Sequence, residues 1–121
     1  MREAISDSVR LQHIMECITE IGNAVNGYAF ESFSEDHIRR IAVVKWLEII
    51  GEAASHISKE TKLKNKEIEW EKMIGLRHIV VHEYFGINYE VIWEAATIHI
   101  PRLKSKIEVI ILDLNGNFLT N

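Results

Sequence analysis

"EDHIRRIAVVKWLEIIGEAASHIS", residues 35–58, carries the reading of the fold. Ile38, Ala42, Trp46, Ile49, Ala53 and Ile57 recur at steps of three and four, and Val43 and Ile50 widen the stripe. That period belongs to an α-helix with one face in a core. Ser32, followed three residues later by Glu35, matches a capping box at its start, with Ser34 as an alternative cap.

Working outward, the same spacing recurs on both sides. Before it, Leu11, Ile14, Ile18, Ile21, Val25 and Tyr28 form one helical stripe, weakened at its end by "GNAVNGY" (22–28). After it comes a polar, lysine-rich connector, "KETKLKNKEIE" (59–69), and then a third helix expected over 70–85 with Gly86 as its stop. Asn88 suits the N-cap of a fourth helix, along which Ile92, Ala96, Ile100, Leu103, Ile107, Ile110 and Leu114 keep the spacing. Pro101 interrupts that helix and predicts a kink or break just before it, and "NGN" (115–117) is expected to end it. No stretch alternates with period two. The expectation is an all-α antiparallel bundle of four main helices, one domain over residues 1–121.

At 121 residues and 47% apolar, the chain can bury a real core. A net charge of −4 argues against a surface that is basic throughout, though not against a local basic site. One cysteine, Cys17, forms no internal disulfide and fits a reducing cytoplasm. The polar start "MREAISDSVRLQ" does not resemble a signal peptide, and no window is apolar enough to span a membrane.

The chemistry concentrates in "RHIVVHEY", residues 77–84. At about 100° per residue, Trp70, Met73, Ile74, Val81 and Tyr84 form an apolar face with Arg77 in its middle. An unpaired buried charge is expensive, so Arg77 needs a partner or a wet cleft. Glu71, Gly75, His78 and His82 form a second stripe, in which Gly75 is expected to admit a close neighbour. Arg77 and His82 stand roughly 140° and about 7.5 Å apart on one helix, so two helices facing across a symmetric dimer would unite them more easily. A guanidinium fork clamps phosphate and an imidazole moves protons near neutral pH, a combination suited to phosphodiester chemistry without a metal.

Arg77, four residues, His82, one residue, Tyr84 is the RX4HXY signature of the HepT-like branch of the HEPN superfamily, which this chain resembles. "WLEIIGEAA" (46–54) is similar to that family's mid-bundle segment, "MIGLRHIVVHEYFGIN" (73–88) to its active-site helix, and "IPRLKSKIE" (100–108) to its last helix. Where the family often has Asn after the arginine, this chain has His78. The resemblance implies the toxin of a type VII-like HepT/MntA toxin–antitoxin system. Such a toxin is a homodimeric, metal-independent endoribonuclease that uses no cofactor. It further implies that Arg77 and His82 are catalytic and that Tyr84 is AMPylated by a minimal nucleotidyltransferase antitoxin, the phosphate then opposing RNA binding beside Arg77. His78 and Glu52 are supporting candidates.

Other readings stand beside these. Arg77 could be a structural arginine paired with Glu48 or Glu52, and Glu52 could be a surface ion-pair partner. His78 and His82 are spaced like zinc ligands but lack a third ligand at suitable spacing. Trp46, Trp70 and Trp93 read as packing anchors, and Tyr28 and Phe30 as closing the first inter-helix loop. Lys59, Lys62, Lys64 and Lys66 are either a solvated loop or a rim that steers phosphate. A non-catalytic HEPN module that binds a nucleotide or a partner protein is the alternative function.

Overall fold

The computed structural model describes residues 2–79 and 88–120. Every regular element among them is helical: α1 (Arg2–Val25), α2 (Phe30–Glu35), α3 (His37–Ser55), α4 (Lys59–Lys64), α5 (Trp70–Gly75), a 3-10 turn (Leu76–His78), α6 (Tyr89–Glu94), a π-helical segment (Ala95–His99) and α7 (Ile100–Thr120). The all-α expectation holds. Six of these elements are short pieces of one turn or two that the hydrophobic period did not separate.

Helix α1 packs on both α3 and α7. Contacts at its ends give the directions. Ser8 Oγ donates to Asn115 Oδ1 at 3.3 Å, which sets the start of α1 against the end of α7. Arg39 Nη1 donates to the Ala24 carbonyl at 2.8 Å, which sets the end of α1 against the start of α3. Both pairs are therefore antiparallel. Leu11, Ile14 and Ile21 of α1 meet Val43, Leu47 and Ile50 of α3 and Ile107 of α7 in a core whose members are fully enclosed. Phe33 of α2 closes one end, with its ring 5.1 Å from that of Trp93.

The stripe expected on α3 is corrected. Val43, Ile50, Ala53 and Ile57 are buried as expected, but Ile38 is 81% exposed, Trp46 and Ile49 are only half-buried, and Val44, Leu47 and Ala54 join the core. The helix is apolar on two sides, and spacing alone could not say which one turns inward. The cap is corrected too. Asp36 starts α3, its carboxylate accepting from Arg39 N at 3.0 Å, while Ser32 lies within α2 and bonds back to Ala29 N at 3.0 Å.

Part of the connector folds into α4, capped by Ser58. Asp7, 2% exposed, accepts from Ser58 N at 2.9 Å, from Ser58 Oγ at 2.6 Å and from Thr61 Oγ1 at 2.6 Å. A carboxylate this enclosed needs such donors, and here they tie the first turns of α1 to the α3–α4 junction.

Asn88 caps α6 as expected, its Oδ1 accepting from Glu90 N at 3.0 Å. The break before Pro101 takes the form of the π segment, and the proline itself falls in the first turn of α7, where its missing donor is tolerated. "NGN" does not stop the helix, which continues through Gly116 to Thr120.

Candidate functional site

The third helix begins as expected at Trp70. Trp70 is buried, and its Nε1 donates to the Asn65 carbonyl at 3.0 Å. The α-helical turns end at Gly75, and Leu76–His78 tighten into a 3-10 turn. His82 and Tyr84, along with Val81 and Gly86, lie outside the described residues.

Close approach of backbones places the 3-10 turn, through a glycine other than the one singled out in the sequence. Nothing lies within 4 Å of a Cβ built on Gly75. A Cβ on Gly51 of α3 would collide with the Arg77 nitrogen and stand 2.9 Å from the Met73 carbonyl oxygen. Gly51 thus lets α5 and the turn after it rest directly on α3, and Arg77 emerges beside α3's outer face.

That face carries Ile38, Ile41, Lys45 and Glu52, exposed at helical spacing, with half-buried Ile49 among them at the edge of the core. Lys45, Glu48, Ile49 and Glu52 join Arg77 and His78 around an open cleft of about 430 Å³. The fold therefore gathers four residues singled out in the sequence, Arg77, His78, Glu48 and Glu52, and adds Lys45 and Ile49. Helical spacing puts 45, 48, 49 and 52 on one face, but Ile49 there reads equally well as part of the core stripe.

Arg77 is not sealed in the interior. Its side chain is 37% exposed, and its Nη1 stands 4.0 Å from Glu52 Oε2, too far for a hydrogen bond. Glu52 instead makes its hydrogen bond with His56 Nε2, at 3.1 Å. Arg77 Nε donates to His78 Nε2 at 3.3 Å. Lys45 Nζ pairs with Glu48 Oε1 at 2.9 Å. The cleft thus presents a guanidinium oriented by an imidazole and only loosely held by a carboxylate, which an incoming phosphate can displace. Among the described residues, no three His, Cys, Asp or Glu side chains are grouped to hold a metal ion. No described helix is long and apolar enough to cross a membrane.

Residues 14–110 match the model of the "Ribonuclease HepT-like" family. A protein of Caldanaerobacter subterraneus subsp. tengcongensis named "Putative RNase" is 38% identical over 101 residues, covering 84% of this chain and 90% of its own. A protein of Thermococcus cleftensis named "Probable ribonuclease HepT" is 38% identical over 98 residues, 81% of this chain and 89% of its own. Another "Putative RNase", from Methanocaldococcus jannaschii, is 36% identical over 106 residues, 88% of each chain. No solved structure matches the chain at a significant level.

Proposed function

The chain belongs to the ribonuclease HepT-like family of the HEPN superfamily, and from that footing we propose that it is the toxin of a toxin–antitoxin pair, a metal-independent endoribonuclease whose site is completed where two copies meet. The observation that carries this reading is the outer face of α3. Ile38 and Ile41 are 81% and 56% exposed, and the same stripe runs on into the cleft that holds Arg77. Apolar side chains so open to water, continuous with a cationic cleft, suit burial against a second copy by a two-fold axis. Such a pairing brings two Arg77 clefts towards each other.

In this mechanism the RNA 2′-hydroxyl attacks the adjacent phosphorus, and the 5′-oxygen of the next nucleotide leaves. A 2′,3′-cyclic phosphate and a 5′-hydroxyl result. His82 takes the 2′-hydroxyl proton or supplies one to the leaving oxygen, and two copies provide one imidazole for each task. Arg77 stabilises charge gathering on the phosphorane oxygens. His78 holds the Arg77 guanidinium, and Glu52 faces its outer nitrogen. A nucleotidyltransferase antitoxin would transfer AMP from ATP to the Tyr84 hydroxyl, releasing pyrophosphate, and the ester phosphate would compete with RNA for Arg77.

The test is RNA cleavage in EDTA by the wild type, Arg77→Ala and His82→Ala. Each substitution should lower the rate on the order of 10²–10⁴-fold with folding unchanged, and the wild type should leave cyclic phosphate ends. A wild type that binds RNA or nucleotide but cuts no RNA would replace this reading with a non-catalytic module. Protein carrying AMP on Tyr84 that cut RNA at the unmodified rate would remove the neutralisation step.

A further inference from the structure

Two adjacent arginines near the start of α3 are treated differently by the fold. Arg39 is fully partnered within the fold. It bonds Asp36 Oδ2 at 3.1 Å and the Ala24 carbonyl at 2.8 Å, and stacks on the Tyr28 ring at 4.2 Å. Arg40 also stacks on a tyrosine, its guanidinium carbon 4.4 Å from the Tyr89 ring centre, and its Nη2 lies 2.9 Å from His37 Nδ1. No carboxylate pairs with Arg40 among the described residues, and its enclosed Nε has no acceptor. A half-buried guanidinium without an anion is an unfavourable arrangement for the free protein. Stacking holds the fork in place, and one imidazole is its only hydrogen-bond partner among the described residues.

Its position relative to Arg77 follows from helix geometry. Gly51, on which the Arg77 backbone rests, lies eleven residues along α3 from Arg40. Eleven residues advance about 16 Å and return to within about 20° of the same direction. Arg40 and the Arg77 backbone therefore flank the same side of α3. Tyr89, the platform under Arg40, opens α6 immediately after the Asn88 cap. The cleft itself opens further round α3, on the face of Lys45, Ile49 and Glu52, so a strand held at both arginines would cross from one side of α3 to the other over about 16 Å of its length.

We propose that Arg40, stacked on Tyr89 and bonded to His37, is a second phosphate-binding site that grips the RNA strand away from the scissile bond. The inference rests on the ribonuclease reading and adds a binding residue to it. Arg40 contributes to holding a strand that extends past the Arg77 cleft, and takes no part in the bond changes. A planar, stacked guanidinium suits that task, because it meets a backbone phosphate with two parallel donors whatever the base.

The experiment compares wild type and Arg40→Gln on two substrates, a single-stranded oligoribonucleotide and a dinucleoside monophosphate that has no flanking phosphate. For the oligonucleotide, KM should rise about tenfold at low salt with kcat unchanged, and the slope of log KM against log salt should shrink by about 0.7, one phosphate's worth. For the dinucleotide, KM should not change. Equal KM and equal slope for the two proteins on the oligonucleotide would overturn the proposal and leave the Arg77 chemistry untouched. An equal loss on both substrates would overturn it as well, since Arg40 would then be acting on the fold or on the cleft. Arg40→Lys keeps the stem and the charge and covers the case in which Arg40→Gln fails to fold. It should retain the salt slope while raising the oligonucleotide KM about threefold, and wild-type KM in Arg40→Lys would count against the stacked fork. A wild type that cleaves neither substrate would remove the ribonuclease reading and this proposal with it.

Discussion

Single residues decide where the arginine of the cleft sits. Gly51→Ala would force a methyl group into the Arg77 nitrogen, and backbone cannot yield as a side chain tip does. A loss of roughly 1–3 kcal/mol is expected from urea unfolding, with RNA cleavage falling further than stability alone explains. Gly75→Ala, by contrast, meets open space and should be neutral or slightly stabilising in the same measurement. His78 acts on Arg77 as a hydrogen-bond acceptor. His78→Asn, which can present an amide oxygen to Arg77 Nε, should keep most of kcat, while His78→Ala should lower it about tenfold, the value of roughly one lost hydrogen bond. Equal kcat in His78→Ala and wild type would remove the positioning role. Cys17 is a buried thiol pushed up to about 11 by its enclosure and by Glu16 and Glu20. Its neutral form is favoured in the folded state, so its contribution to stability is intact below a pH of about 9 and is lost as pH climbs towards 11. Alkylation by iodoacetamide at neutral pH should require unfolding. Of these residues, Arg77 and His78 were legible in the sequence because an arginine on an apolar helix face demands an explanation. Gly51 was not, since nothing in a string of letters separates a glycine that carries a helix contact from one that faces solvent.

Helices were more readable in the string of residues than the joints between them. Long stripes on α1, α3 and α7 repeat often enough to be read. A piece such as α4 has six residues, too few for a period, and it owes its place to Asp7, fifty-one residues before its cap. Asp7→Ala removes three hydrogen bonds from an enclosed site, and about 2–4 kcal/mol of stability should go with them. Hydrogen exchange should show α4 and the first turns of α1 opening together, and exchange unchanged from wild type would deny the link. The start of α3 offers a second check. Arg39's backbone N–H and guanidinium hold the Asp36 carboxyl below the usual carboxylate range. A lowered folded value means stability that is present above the ordinary carboxylate pKa and lost as pH falls through the lowered one. Asp36→Asn should therefore lose part of the acid dependence of the unfolding midpoint. The stripe on α3 was only partly legible for a physical reason: a helix apolar on opposite sides satisfies the same spacing twice, so Ala53 and Ile57 fall inside as expected while Ile38 falls outside.

For the whole molecule, that doubled stripe is the informative feature. One side of α3 holds the chain's own core, and the other leads through Ile38 and Ile41 into the Arg77 cleft. Ile41→Glu should leave the folded monomer nearly as stable as wild type, because a surface position tolerates charge. It should convert the particle to a monomer in sedimentation and abolish RNA cleavage. A fully active Ile41→Glu monomer would refute the proposed pairing. The lysines of α4 and the following loop belong to this scale too. Lys64 is already paired with Glu60 at 3.2 Å, so neutralising Lys59, Lys62 and Lys66 should carry most of any rise in KM at low salt.

Two isoleucines left wet by a lone chain also make abundance a control in the proposed pair. Scarce copies stay apart and harmless, and activity climbs with the square of their number until pairing saturates. A cell could then tolerate a trickle of this product while a burst of synthesis, or the sudden loss of whatever restrains it, crosses the threshold.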